Sequence, residues 1–165
     1  MRAQYGQLLR KIFAAEVKAS LARFEPASLA PGTLSAGERA FVSSSNGQTH
    51  SWVVLVPSAK DDEFTVEIGW SKCGRFPELS ARPWPIAPLP SPEVAECMCR
   101  IGLIAGIGDC WWHVDRFMRT AQGKEILSQL SGALQSDPAT RLLVCARAAI
   151  GLVASHGVPF LAAAA

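Results

Sequence analysis

The residues best suited to covalent chemistry lie close together at Cys110 and His113. On a helix these two residues would be one turn apart, and a histidine can take the proton of a cysteine that acts as nucleophile. Asp109 or Asp115 would orient the imidazole, as the third member of a catalytic triad does. One hypothesis is therefore a small thiol-dependent or hydrolytic enzyme. The alternative is that the adjacent tryptophans anchor the packing and His113 lies at the rim of the core.

The same region offers the sulfur and imidazole ligands that zinc prefers. Cys97 and Cys99 form a C-x-C pair, and Cys110 with His113 forms C-x-x-H. Structural zinc pairs usually have two to four residues between ligands, and residues two apart on the helix predicted here would point about 200° apart. Buried cysteines also commonly act as small hydrophobic residues. The glycines at 102–108 lack the order of a dinucleotide-binding fingerprint. We predict no metal and no cofactor.

A loop that follows a predicted strand carries residues typical of contact surfaces. The strand EFTVEIGW is followed by SKCGRFP, in which Cys73 lies between two cations. Those cations would favour a reactive thiolate if the side chain were accessible, and a charged, solvent-facing loop explains the same pattern. Arginine and tryptophan are enriched among the residues that dominate protein interfaces. The predicted partner-binding residues are Lys72, Arg75, Phe76 and Trp84.

Composition is that of one globular domain spanning residues 1–165. The chain is 49% hydrophobic and 18% charged, and its net charge of +2 comes from scattered residues rather than a basic stripe. A surface of this kind does not neutralise a run of phosphates, so we expect no nucleic-acid partner. The five cysteines are an odd number at uneven spacing, which favours a reducing cytoplasm over a secreted disulfide scaffold.

Two features argue against export or membrane insertion. Charged residues interrupt the first 22 positions, where a signal peptide would need an unbroken apolar core. The apolar run at 101–108 is too short to span a bilayer, and the run from Ala148 reaches that length only by including His156, Gly157 and Pro159. We predict that both runs are core segments of a cytoplasmic protein without membrane contact.

Hydrophobic periodicity predicts an α+β fold. Apolar residues at helical spacing indicate an amphipathic helix over 4–24, and strands are predicted at 39–44, 50–56 and 63–70. Asn46 and Gly47 suit a tight hairpin turn between the first two strands. We predict a three-stranded, or with one further strand four-stranded, antiparallel sheet that is packed on one face by the N-terminal and C-terminal helices.

The alternation in EFTVEIGW predicts which side chains face this core. Residues two apart on a strand share a face. The predicted core face comprises Phe64, Val66, Ile68 and Trp70, and the predicted water face comprises Thr65, Glu67 and Gly69. An alternative for Glu67 is a pair with a lysine or arginine on a neighbouring strand.

The C-terminal half is predicted to be helical after a proline-rich connection at 79–93. We predict helices at 92–104, within 109–123, at 123–135 and at 139–155, the last beginning at Asp137 and Pro138. Gly157 is expected to end that helix and to leave VPFL as a short extended tail.

Three segments resemble small bacterial α+β proteins of an uncharacterised family. These are the N-terminal helix, the strand pair SWVVLV and EFTVEIGW, and the closing HGVPFL. The resemblance implies no catalytic residues and suggests an immunity or accessory protein. Together with the residue patterns, it leads us to predict a non-catalytic protein-interaction module, with the enzyme that uses Cys110 and His113 as the alternative.

Overall fold

The protein is represented by a computed structural model that describes residues 3–45, 49–78, 93–114 and 137–164. Its helices are α1 (Ala3–Ser20), α2 (Ile101–Ile104), α3 (Pro138–Leu152) and α4 (Val158–Ala164). Its strands are β1 (Glu25–Pro26), β2 (Arg39–Ser45), β3 (Thr49–Pro57), β4 (Glu63–Ser71), β5 (Glu96–Arg100) and β6 (Trp112–His113).

The α+β class is confirmed, and the sheet is larger than predicted. Strands β1 to β5 lie in chain order with antiparallel pairing throughout, and β6 pairs with β4 beside β5. The three predicted strands are the centre of this sheet, with Phe41 opposite Val53 and Val53 opposite Ile68. The prediction of three or four strands was too low because β1 and β6 are only two residues long and β5 was assigned to a helix.

The segment ECMCR forms strand β5, so the predicted helix at 92–104 is wrong over residues 96–100. It pairs with β4, placing Cys97 opposite Trp70 and Cys99 opposite Ile68. A helix forms only at Ile101–Ile104. Since all three central residues of β5 are buried, pairing with β4 and burial on both faces outweigh the local helical spacing.

One face of the sheet packs against the helices, as predicted. Phe64, Val66, Ile68 and Trp70 are all fully buried there. They share one apolar cluster with α1 and the C-terminal helices: Phe13 of α1 contacts the rings of Phe41 and Phe64, and Phe160 of α4 contacts the ring of Trp70. Alternation in β4 therefore predicted the main core correctly.

The opposite face of the sheet was predicted to face water, and that prediction is wrong. Thr65 and Glu67 are buried, as is the rest of β4. A second apolar cluster lies on this face: Ala40, Trp52, Val54 and Met98 belong to strands of the same sheet, and Phe76 of the loop after β4 packs on Trp52. A central strand has neighbours on both edges and cover on both faces, so polar residues on it are buried too. Glu67 lies directly opposite Arg100 of β5, the kind of neighbour named in the alternative prediction.

The last helix begins as predicted and ends later. The Asp137 side chain caps α3 by accepting hydrogen bonds from the backbone N–H groups of Ala139 and Thr140. Gly157 does not end the helix: a π turn at Val153–Gly157 continues into α4. The predicted extended tail is therefore helical. Gly157 itself packs against the sheet, where a Cβ would lie 2.8 Å from Ile68 Cδ1.

The continuous helical segment Pro138–Ala163 has the length and composition of a membrane span. Its most apolar window has a mean hydropathy of 1.5, and 39% of that window is buried inside the molecule. The buried side contributes Leu142, Ala149 and Ile150 to the main core and packs beside α1. Core helices of soluble proteins have the same property, so the absence of membrane contact stays a prediction.

Candidate functional site

Cys110 lies in the core rather than in a reactive position. Its side chain is fully buried, and its backbone carbonyl accepts a 2.7 Å hydrogen bond from Thr65 Oγ1. Burial, with a smaller contribution from nearby Asp109, raises the pKa of the Cys110 thiol to about 12. A nucleophilic cysteine needs the opposite, a lowered pKa and access to substrate. The structure therefore favours the packing interpretation of Cys110.

His113 does not share a helix with Cys110, so the predicted one-turn geometry is wrong. It lies in β6 opposite Glu63, and its carbonyl accepts a 3.8 Å hydrogen bond from Cys145 Sγ. Asp109, the predicted orienting group, forms an ion pair with Arg100 and accepts a hydrogen bond from Trp111 Nε1. The second predicted orienting residue, Asp115, is outside the described residues.

Cys97 and Cys99 lie on the same face of β5, contrary to the directions expected from a helix. Both are fully buried in the main core. A hydrogen bond with Cys97, followed by burial, raises the pKa of the Cys99 thiol above its usual range. Within the described ranges, no group of three or more histidine, cysteine, aspartate or glutamate residues is placed to hold a metal ion.

The loop at 72–78 after β4 is held by one carboxylate on β5. Glu96 accepts hydrogen bonds from Ser71 Oγ (3.2 Å) and from the backbone N–H of Glu78 (3.1 Å), and it pairs with Arg75 Nη1 at 3.0 Å. Ser71 Oγ also accepts a hydrogen bond from the backbone N–H of Cys73. Both ends and the middle of the loop are thus tied to the sheet. We call residues 72–78 the anchored loop.

The predicted binding residues lie in different environments. Arg75 is 43% exposed, and Lys72 is half-buried with its backbone N–H donated to Ala95. Phe76 is only 6% exposed and packs edge-on against Trp52, with ring centroids 5.0 Å apart, so its ring supports the loop from beneath. Trp84 lies outside the part of the chain that the structure describes.

The structure contains a cavity of about 370 Å³ that the sequence did not predict. It lies between the first turns of α1 and α3 and the β3–β4 turn, and its polar lining residues are Gln4, Tyr5, Asp62 and Arg141. Because these residues are far apart in the sequence, no local motif marks them. The helical spacing assigns Tyr5 to the apolar stripe of α1, so the sequence predicts a core residue at this position.

A wider groove of about 860 Å³ lies between the end of α1 and the β1 edge of the sheet. Its walls are mostly apolar and include Val17, Phe24 and Phe41, with Lys18 and Glu25 as charged residues. Pro26 in β1 lacks a backbone donor, which limits the addition of a further strand at this edge.

The five thiols should differ sharply in reactivity. Cys73 is exposed, and the other four cysteines are buried. We expect a neutral-pH alkylating reagent to modify Cys73 rapidly and the others only after unfolding, as measured by mass spectrometry of peptides with and without denaturant. In a Cys73→Ser variant the fast phase should disappear. Native labelling of Cys110 at a rate similar to that of Cys73 would instead support an activated thiolate.

No protein-family model, curated protein or solved structure matches the chain, so its function has to be argued from its own residues.

Proposed function

We propose that the chain is a non-catalytic, cytoplasmic protein-interaction module of the immunity or accessory kind, and that it contacts its partner through the anchored loop. The observation that supports this proposal is the position of Arg75. Its guanidinium is partly exposed while Glu78 and Glu96 hold it at 3.4 and 3.0 Å. Arginine held in one orientation is a common anchor of protein interfaces.

Anchoring lowers the conformational cost of binding. A loop that must become ordered on association loses about 0.5–1.5 kcal/mol for each immobilised long side chain. Here the hydrogen bonds of Ser71, Glu78 and Arg75 to Glu96 restrict the loop before any partner arrives. Phe76 adds apolar support from beneath through Trp52. The exposed Cys73 and Arg75 therefore form a surface that needs little rearrangement.

The enzyme alternative has less support than this surface. Its proposed nucleophile, Cys110, is fully buried with a raised pKa, and Asp109 is engaged by Arg100. A thiol in that environment remains protonated and packed at neutral pH.

An Arg75→Ala variant should lose its partner while keeping its fold. We expect the amount of partner that co-purifies from the source cells to fall about tenfold or more, because interface arginines often contribute about 2 kcal/mol or more. A photoactivatable maleimide crosslinker on Cys73 tests whether the same partner touches the loop. The free energy of unfolding, measured in urea, should change little, since partly exposed ion pairs contribute only about 0–1 kcal/mol to it.

Arg147→Ala provides the matched control for this experiment. Arg147 is also an exposed arginine in an ion pair, 3.3 Å from Glu16, and it lies on α3 outside the loop. Its removal should leave co-purification and crosslinking unchanged. If Arg75→Ala retains every partner that the original chain captures, or both variants lose it equally, the loop is not the contact surface.

A further inference from the structure

The guanidinium of Arg75 uses only some of its hydrogen-bond donors within the anchored loop. Nη1 donates to the Phe76 carbonyl at 3.2 Å and pairs with Glu96 at 3.0 Å. Nη2 lies 3.4 Å from Glu78. Among the residues that the structure describes, Arg75 Nε has no hydrogen-bond partner. Because a guanidinium has five N–H groups, Nε and the second N–H of Nη2 are left to bind another molecule.

Glu96 and Glu78 hold Arg75 in different ways. The Glu96 side chain is 13% exposed and also accepts hydrogen bonds from Ser71 Oγ and the Glu78 backbone N–H, so it belongs to the framework of the loop. The Glu78 side chain is 75% exposed and approaches Arg75 with a single oxygen. Water screens exposed ion pairs of this kind, and ordering their long side chains costs entropy. A carboxylate from another molecule can therefore replace Glu78 and leave the Glu96 contacts in place.

Arg147 has the contact that Arg75 lacks. Its Nε donates to both oxygens of Glu16, each at 3.3 Å, so this donor is occupied within the chain. A carboxylate commonly accepts two parallel N–H bonds from one edge of a guanidinium. At Arg75 the edge formed by Nε and Nη2 is approached only by one Glu78 oxygen, at Nη2.

We propose that the partner presents an aspartate or glutamate side chain to the Nε–Nη2 edge of Arg75, and that Glu78 holds this place in the unbound protein. The inference rests on the proposed function, because it names the chemical group that the anchored loop receives. The partner carboxylate accepts two hydrogen bonds from Arg75, and Glu78 turns into solvent. One carboxylate replaces another, so the charge around Arg75 is unchanged. Glu78 therefore competes with the partner.

Two peptides that differ in one group test this proposal on the full chain. The first is acetyl-Gly-Glu-Gly-amide, which carries a single carboxylate, and acetyl-Gly-Gln-Gly-amide is its neutral match. NMR spectroscopy of the arginine Nε–H groups follows binding, with the signals assigned through Arg75→Lys and Arg147→Lys. The acidic peptide should shift the Arg75 signal saturably and leave the Arg147 signal unchanged, because Arg147 Nε is occupied by Glu16. The neutral peptide should shift neither signal.

Two loop variants test the competition between Glu78 and the peptide, measured through the backbone amide signals of the loop. Glu78→Gln should bind the acidic peptide about two- to fivefold more tightly, the effect of removing an exposed competing ion pair. Arg75→Lys should bind it about tenfold more weakly, because an ammonium does not supply two parallel donors. Glu25→Gln, which changes an exposed glutamate on β1, is the control and should have no effect. The same amide spectra check that each variant keeps the fold.

Co-purification of the partner separates this inference from the proposed function. Glu78→Gln should capture more partner than the original chain, whereas Arg75→Ala should lose it. If Arg75→Ala keeps every partner, the proposed function fails. If Arg75→Ala loses the partner and Glu78→Gln also weakens capture, the loop is the contact surface and the carboxylate assignment is wrong. That assignment is also wrong if the acidic peptide leaves the Arg75 signal unchanged or if both peptides shift it equally.

Discussion

Replacing Gly69 by alanine should lower the free energy of unfolding by about 3 kcal/mol or more, the upper range for an overpacked core position. Gly69 lies in β4 opposite Met98 of β5. A Cβ at this position would lie 1.9 Å from the Cys97 carbonyl oxygen and 2.8 Å from Met98 Cα. These are backbone atoms, which cannot rotate away as a flexible side chain does. The added methyl group therefore has to push β5 away from β4.

Gly151→Ala is the control for this experiment. Gly151 lies on the exposed side of α3, and among the described residues no atom other than those of its chain neighbours and its own helix backbone lies within 4 Å of the position that its Cβ would occupy. Alanine is the better helix former, so this variant should gain about 0.5–1 kcal/mol. Urea unfolding followed by circular dichroism measures both changes. A loss below about 1 kcal/mol for Gly69→Ala would show that β5 does not approach β4 this closely.

The sequence predicted the central elements because their signals are local. Helix α1 and strands β2 to β4 follow the apolar spacing of their own residues, within a few residues at their ends. The alternation in β4 also identified the face that holds Phe64 and Trp70. It could not show that Thr65 and Glu67 are buried, because their surroundings come from other segments: Thr65 Oγ1 donates to the Cys110 carbonyl, and Glu67 lies between Val54 and Arg100 of the neighbouring strands.

Strand β5 was missed because short apolar runs fit a helix and a strand equally well. Because the segment pairs with the edge of β4, it forms a strand although its local apolar spacing also fits a helix. Gly69 was the available clue, since a glycine inside a strand often marks a close approach of another backbone. Glycine and proline normally stop a helix. At the C-terminus, however, the π turn that ends at Gly157 continues directly into α4, which contains Pro159.

Only the part of the candidate site that lies within one continuous segment could be predicted from the sequence. Arg75 could be named because the anchored loop is one continuous segment. Cys110 and His113 were considered as a catalytic pair because they are close in the sequence. In the folded protein, Cys110 lies in the core and His113 lies on a strand. The cavity unites Tyr5 with Arg141, and only the packing of α1 against α3 brings such distant residues together.

Replacing Phe64 by alanine should destabilise the protein by about 4 kcal/mol, in the range measured for large aromatic truncations. Phe64 is fully buried in β4 between two other rings. It contacts Phe13 of α1 edge-on at 6.2 Å and stacks on Trp112 of β6 at 5.5 Å, measured between ring centroids. Truncation would leave a cavity where the helix layer meets two strands, and the rigid sheet limits how far that space can collapse.

Two further variants separate this effect from a general loss of hydrophobicity. Phe64→Leu keeps most of the volume and should cost about 1–2 kcal/mol. Phe160→Ala removes the same ring from a half-buried position on α4, where it contacts Trp70, and should cost less than Phe64→Ala because less apolar surface leaves the core. Urea unfolding ranks the three variants. Equal losses for Phe64→Ala and Phe160→Ala would contradict the central position of Phe64, because they would mean that the two rings bury similar apolar surface on folding.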